Sequence, residues 1–249
     1  MTNRVLHCLI CGYERGGTTL LSELIRQNPR IDGRFECGFL LGRRPADFAT
    51  LQPYADNLKT AWGVDARGLA YICAASGWEQ MYRRLREVSA LPDKTIPLYD
   101  KTPRYMSCLP AILAKVAVPC VVIVRDPRAV FYSHSRHNPT EMGGFCGYYL
   151  DYGRAFVEAR KRYPGRILLV RYERLCLQPE SEARRIFDFL GLEFDLAYLD
   201  LPRRADDYVN PRIDTRAVAG YADHLTLDQQ GDILRRTAEF SCWHWTGVE

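Results

Sequence analysis

No stretch of this chain stays apolar for the roughly 20 residues that a membrane-spanning helix needs, so a membrane-embedded enzyme is not expected. A strong charge imbalance is missing too. Thirty-four Lys and Arg face 30 Asp and Glu, a formal net charge of +4, which is too mild for a nucleic-acid-binding protein. A small surplus of that sign still suits a small anionic ligand if the charges converge on one site. Paired cysteine spacing is absent: the nine cysteines are odd in number and scattered. Cys8 and Cys11 form a C-x-x-C, but they lie in a short apolar run whose strand alternation sends them to opposite faces. They read as core thiols rather than metal ligands, and reduced thiols point to a cytoplasmic setting. The first apolar run is short and leads straight into a glycine-rich loop, unlike a signal peptide. Repeats, low-complexity tracts and linkers are lacking as well, so residues 1–249 are expected to form one domain.

What is present alternates between strand and helix patterns, predicting an α/β fold with a central parallel sheet flanked by helices. The continuous apolar run 5–11 is expected to be a central strand, and residues 18–27 a helix stopped by Asn28-Pro29. A short strand is expected over 31–36 and another over 95–99. Residues 118–124, dense in β-branched side chains, form the clearest strand. Asp126 and Pro127 follow as N-cap and first helical residue. Helices are predicted over 147–162, 179–190 and 227–239, and a last strand over 166–172. Trp62, Tyr71, Trp78 and Tyr82, in the irregular helical stretch 45–90, read as packing aromatics, with an acceptor-pocket wall as the second reading.

Gly12-Tyr13-Glu14-Arg15-Gly16-Gly17-Thr18-Thr19 stands between the first strand and the first helix with the spacing of a phosphate-binding loop. Glycines let successive N–H groups turn inward, and the helix behind adds its positive end. Thr18 and Thr19 add hydroxyls, and Arg15 adds a two-pronged donor. The Lys that a nucleoside-triphosphate loop places before its Ser/Thr is missing. A triphosphate needs that Lys and Mg²⁺ to neutralise several charges, whereas a sulfonate carries one. The loop therefore favours a sulfonate donor with no metal.

A second anion site is expected where residues 121–125 end. Arg125 leaves the strand at the sheet edge where open parallel sheets bind ligands, and Ser133 lies about two helical turns further on. The competing reading of Arg125 is a surface salt bridge; for Arg128, beside Asp126, helix capping is preferred.

These segments, together with Val170-Arg171-Tyr172-Glu173 and Phe189-Leu190-Gly191-Leu192, resemble the sulfotransferases that use 3′-phosphoadenosine-5′-phosphosulfate (PAPS), in the family's usual order over most of residues 4–192. The resemblance implies a three-layer fold like that of P-loop nucleotide kinases. It also implies that Arg15, Gly16, Gly17, Thr18 and Thr19 hold the 5′-phosphosulfate, that Arg125 and Ser133 hold the 3′-phosphate, and that Tyr172 approaches the adenosine. Gly16 departs from the Ser of many relatives. The C-terminal segment has no clear match to the closing loop of relatives; Arg203, Arg204, Arg212 and Arg216 either cover the donor or lie in a solvated charged loop.

An acceptor hydroxyl must lose its proton near the transition state. The branch of the family acting on tyrosyl and carbohydrate acceptors has a Glu in the place of Glu36, whose apolar or small neighbours would raise its pKa. A helix cap or salt-bridge partner is the competing reading of Glu36. His134 and His137 are the alternative bases, and His7 reads as core. Lys101 matches a lysine facing the transferring group in that branch, where with Arg15 it would steady the leaving phosphate oxygen. Asp100 is expected to orient Lys101 or a backbone turn. The expected reaction is metal-free in-line transfer of a sulfonate to a hydroxyl or amine, releasing PAP, with Glu36, Lys101 and Arg15 as its catalytic residues. Phenols, sugars, lipid head groups and peptide tyrosines all present such a group. The rival readings are a P-loop kinase using ATP and a non-catalytic nucleotide-binding protein.

Overall fold

The computed structural model describes residues 4–203 and 213–243. Four strands, β1 (Leu6–Gly12), β2 (Leu98–Lys101), β3 (Cys120–Val124) and β4 (Ile167–Arg171), form one sheet in the order β2-β1-β3-β4. Every pairing is parallel. The helices are α1 (Thr18–Arg26), α2 (Tyr54–Trp62), α3 (Ala66–Cys73), α4 (Trp78–Val88), α5 (Leu109–Lys115), α6 (Pro127–Ser135), α7 (Met142–Arg162), α8 (Tyr172–Leu177), α9 (Pro179–Leu190), α10 (Arg216–Ala219) and α11 (Leu227–Arg236).

Strand alternation divides the interior into two cores and so makes three layers. Leu9 and Cys11 of β1 join Cys120, Val122 and Val124 of β3 on the face packed by α5 and α7. Cys8 and Ile10 join Val121 and Ile123 on the opposite face, beneath α1, α8 and α9. The two N-terminal cysteines thus point to opposite cores, and burial pushes both thiols far up. Among the described residues no helix is long and apolar enough to cross a membrane.

Among the expected boundaries that move, three show what moves them. Residues 31–36 form no full strand: only Asp32 makes a parallel bridge, to Leu98, while its carboxylate pairs with Arg26 and Arg203. β2 lies later than 95–99 and takes in Asp100 and Lys101, both buried, because Tyr82, Tyr105 and Glu36 supply their partners. α7 begins five residues before Gly147, at Met142, because the Glu141 carboxylate accepts from the N–H groups of Gly143 and Gly144 at 2.9 and 2.7 Å.

The register carries function. Gly12 pairs with Ile123, Ile10 with Lys101 and Val124 with Arg171, so all four strands end along one edge. The chain reverses direction across the sheet between β1 and β3, where open sheets of this kind bind ligands.

Candidate active site

The loop after β1 is shaped by close approach. Arg15 and Gly17 take left-handed backbone angles, with φ of 66° and 101°, and the Gly16 N–H closes a turn onto the Tyr13 carbonyl at 2.8 Å. A Cβ at Gly17 would lie 2.4 Å from the Tyr172 ring, and one at Gly12 would lie 2.2 Å from the Ile123 carbonyl oxygen. Glycine is required at both. Gly16 has a local reason too, since an added Cβ would stand 2.8 Å from the Tyr13 carbonyl oxygen. No side chain caps α1, which leaves the first-turn N–H groups, among them those of Thr18 and Thr19, directed at the loop mouth.

The two arginines expected to bind anions are adjacent. Arg125 donates from Nη1 to the Arg15 carbonyl at 3.2 Å and from Nη2 to the Ala217 carbonyl at 2.6 Å. Its guanidinium carbon lies 4.1 Å from the centroid of the Tyr172 ring, and its buried Nε has no hydrogen-bond partner. Arg15 donates from Nε to Ser133 Oγ at 3.2 Å and from Nη2 to His137 Nε2 at 3.0 Å. A guanidinium only donates, so His137 carries its proton on Nδ1, toward the Ser133 carbonyl at 2.9 Å. Among the described residues neither Arg15 nor Arg125 pairs with a carboxylate. Desolvation, then the charges of Arg125 and Arg136, lower the Arg15 pKa. Arg128 does pair, gripping Asp126 at 2.5 Å, and Asp126 caps α6 by accepting from the Arg128 N–H. The capping reading of Arg128 therefore holds, and among the described residues Arg125 forms no surface salt bridge.

Glu36 stands on a loop rather than after a strand, clipped from three sides. Trp62 Nε1 donates to the Phe35 carbonyl at 2.6 Å, Asn57 Nδ2 to the Glu36 carbonyl at 2.9 Å, and the Gly38 N–H to Thr102 Oγ1 at 3.1 Å. Thr102 in turn donates to Asp100 at 2.8 Å, and Asp100 also accepts from Tyr82 at 2.5 Å and Tyr105 at 2.6 Å. Asp100 thus braces a turn that holds the Glu36 loop. Trp62 and Tyr82 serve this floor, which favours the packing reading for both. Lys101, only 3% exposed, places Nζ 3.2 Å from Glu36 Oε1 and 4.4 Å from the centre of the Phe35 ring. Burial raises the Glu36 pKa, and Lys101 partly opposes that rise.

The other candidates are elsewhere occupied. His7 Nε2 meets the Leu190 carbonyl at 2.9 Å, and His134 Nδ1 meets Thr140 Oγ1 at 3.3 Å. Arg203 is tied to Asp32, and Arg216 is paired with Asp214 on the surface. It is the backbone of α10, through the Ala217 carbonyl, that reaches Arg125. Arg204 and Arg212 lie outside the described residues. Sequence reasoning missed the tyrosines of α7, whose only signal was their helical spacing at 148, 149 and 152.

Residues 8–196 match the sequence model of the Sulfotransferase family. The nodulation protein NoeE of Sinorhizobium fredii is 25% identical over 268 residues, which span 90% of this chain and 62% of that protein. This chain thus spans somewhat under two thirds of the length of that relative. The fold is similar to the sulfotransferase domain of the Synechococcus PCC 7002 olefin synthase, with a TM-score of 0.67, 21% identity and 94% of each chain covered. It is also similar to mouse sulfotransferase SULT7A1 complexed with PAP, with a TM-score of 0.55, 16% identity, and 95% and 87% of the two chains covered.

Proposed function

Since the chain belongs to the sulfotransferase family, we propose that it transfers a sulfonate from PAPS to a hydroxyl or amine, with both anionic ends of the donor held at the exits of β1 and β3. One observation carries this reading. Arg15 and Arg125 stand side by side at neighbouring strand ends, joined through the Arg15 carbonyl at 3.2 Å, and neither is neutralised by a carboxylate among the described residues. Arg15 is exposed and Arg125 half-buried, so both guanidinium groups stay charged and open to an incoming anion. The partnerless Arg125 Nε and the uncapped start of α1 supply further donors for one.

In this reading Arg15, Gly16, Gly17, Thr18 and Thr19 hold the 5′-phosphosulfate, Arg125 and Ser133 hold the 3′-phosphate, and Tyr172, packed on both Gly17 and Arg125, faces the nucleoside between them. The acceptor oxygen or nitrogen attacks sulfur in line. Its new bond to sulfur forms as the bond from sulfur to the 5′-phosphate oxygen breaks, and the electron pair leaves with PAP. Glu36 takes the acceptor proton; its raised pKa makes it a stronger base than a solvated glutamate. Lys101, held beside Glu36, and Arg15 steady charge on the departing oxygen.

Calorimetry separates this reading from an ATP-dependent kinase. PAP is expected to bind without Mg²⁺, and Mg²⁺-ATP to give no comparable heat. Binding of Mg²⁺-ATP with none of PAP would overturn the assignment. A screen of acceptors with labelled PAPS then identifies the acceptor.

A further inference from the structure

One buried side chain outside the donor-facing set touches both cradles. Tyr149, on α7, lays its ring on that of Tyr13 with centroids 4.0 Å apart and planes 3° from parallel, and its main-chain carbonyl accepts from the Tyr13 hydroxyl at 3.0 Å. Its own hydroxyl donates to the carbonyl oxygen of Arg125 at 2.8 Å. Tyr13 lies two residues before Arg15 in the glycine loop, and Arg125 is the cation of the second cradle. Tyr149 therefore links the Tyr13 side chain of the glycine loop to the backbone of Arg125.

Neighbouring contacts stiffen the loop end of this bridge. The Glu14 N–H donates to the Tyr148 hydroxyl at 3.0 Å, that hydroxyl donates back to the Glu14 carboxylate, and Tyr152 donates to the other carboxylate oxygen at 2.9 Å. Tyr148, Tyr149 and Tyr152 lie within two adjacent turns of one helix, so the loop and the end of β3 are both referenced to a single rigid element. Neither Tyr149 nor Tyr13 needs to touch a ligand to set where the cations stand.

We propose that Tyr149 is a positioning residue that sets the separation of the two anion cradles, and that its contribution is felt only by ligands spanning both. The inference rests on the two-cradle reading above. When one anionic group is already bound, a second on the same molecule is captured at a high effective concentration only if the spacing matches. A ligand with a single phosphate occupies one cradle and is blind to the spacing.

The test compares three nucleotides, PAP, 5′-AMP and 3′-AMP, on the intact chain and on Tyr149→Phe, which keeps the ring stack and deletes the bond to Arg125. PAP is expected to lose about tenfold in affinity, the scale of one buried hydrogen bond, while each mononucleotide changes by less than about twofold. Equal losses for all three ligands indicate general loosening and overturn the proposal, as does unchanged PAP affinity. Tyr13→Phe deletes the bond at the loop end and carries the same comparison if Tyr149→Phe does not fold. The unaltered protein supplies the separate check. If it binds PAP no more tightly than 5′-AMP, the two-cradle reading fails and this inference falls with it. If it prefers PAP and the variants weaken all three ligands alike, only the role of Tyr149 is lost.

Discussion

Two pairs of arginines lie near the glycine-loop helix, and the protein treats them in opposite ways. Arg26 and Arg203 close on Asp32, a carboxylate only 1% exposed, at 2.8 and 3.1 Å, and the remaining Arg26 Nη1 still lies 3.8 Å from Glu23. Arg203 also ties its segment to α1 through the carbonyls of Arg26 and Asn28 at 2.9 and 3.2 Å. Arg15 and Arg125 have carbonyls, a serine, a histidine and an aromatic face, but no carboxylate among the described residues. Charge that serves the fold is neutralised from within. Charge left open at a strand edge is what the proposed function assigns to an anion from outside, and that assignment is what the comparison puts to the test.

The sharpest way to break this comparison is to remove the internal anion. Asp32→Asn leaves Arg26 with only the longer Glu23 pair at 3.8 Å, and the expected cost is about 3 kcal/mol, at the lower end of the range for broken buried pairs because that pair remains and Arg203 is one-third exposed. In a chain of this length that is a fall in Tm of roughly 10 °C. PAP affinity of the folded fraction is expected to stay unchanged. A large loss of PAP binding at full folding would merge the two pairs and remove the contrast.

The converse change is smaller in energy and opposite in kind. Arg125→Ala is expected to weaken PAP about a hundredfold, the scale of one or two charge-assisted hydrogen bonds. Its Tm is expected to move far less than in Asp32→Asn, because no ion pair is broken. Unchanged PAP affinity measured by calorimetry would remove Arg125 from the site.

The same contrast explains what was legible in the sequence. β3 and α6 were readable because β-branched residues, an Asp cap and a first-turn Pro all agree locally. So was the glycine loop, since only glycine tolerates the approach of Tyr172 and Ile123. β2 was misplaced because its Asp100 and Lys101 look like loop residues until Tyr82, Tyr105 and Glu36 are brought to them from distant segments. The strand expected at 31–36 shrinks to a single bridge at Asp32, whose side chain is held by Arg203, 171 residues away in sequence. Candidate residues at strand ends were legible because backbone chemistry places them. Their long-range partners, the tyrosines of α7 above all, were not, since ordinary helical spacing does not say which hydroxyl meets which carbonyl.

Glu36 and Lys101 form the intermediate case, a pair neutralised from within yet held at the strand edge, and pH is the means of testing it. Burial raises the Glu36 pKa and Lys101 pulls it back, so the proposed base is ionised, and the reaction supported, only above that raised value. The acid limb of kcat/KM is therefore expected above the ordinary glutamate value of about 4.3. Lys101→Met removes the opposing charge and should carry the limb to higher pH, whatever it does to the plateau, while Glu36→Gln should abolish the limb with the activity. A limb that survives Glu36→Gln near about 6.5 would transfer the role to a histidine. Stability must run the other way. A carboxyl whose pKa is raised on folding stabilises the fold below its unfolded value, and that contribution is lost as pH rises through the folded value. Rate should thus climb across the interval in which the contribution of Glu36 to Tm declines, and a rise in both together would mean that a different group titrates there.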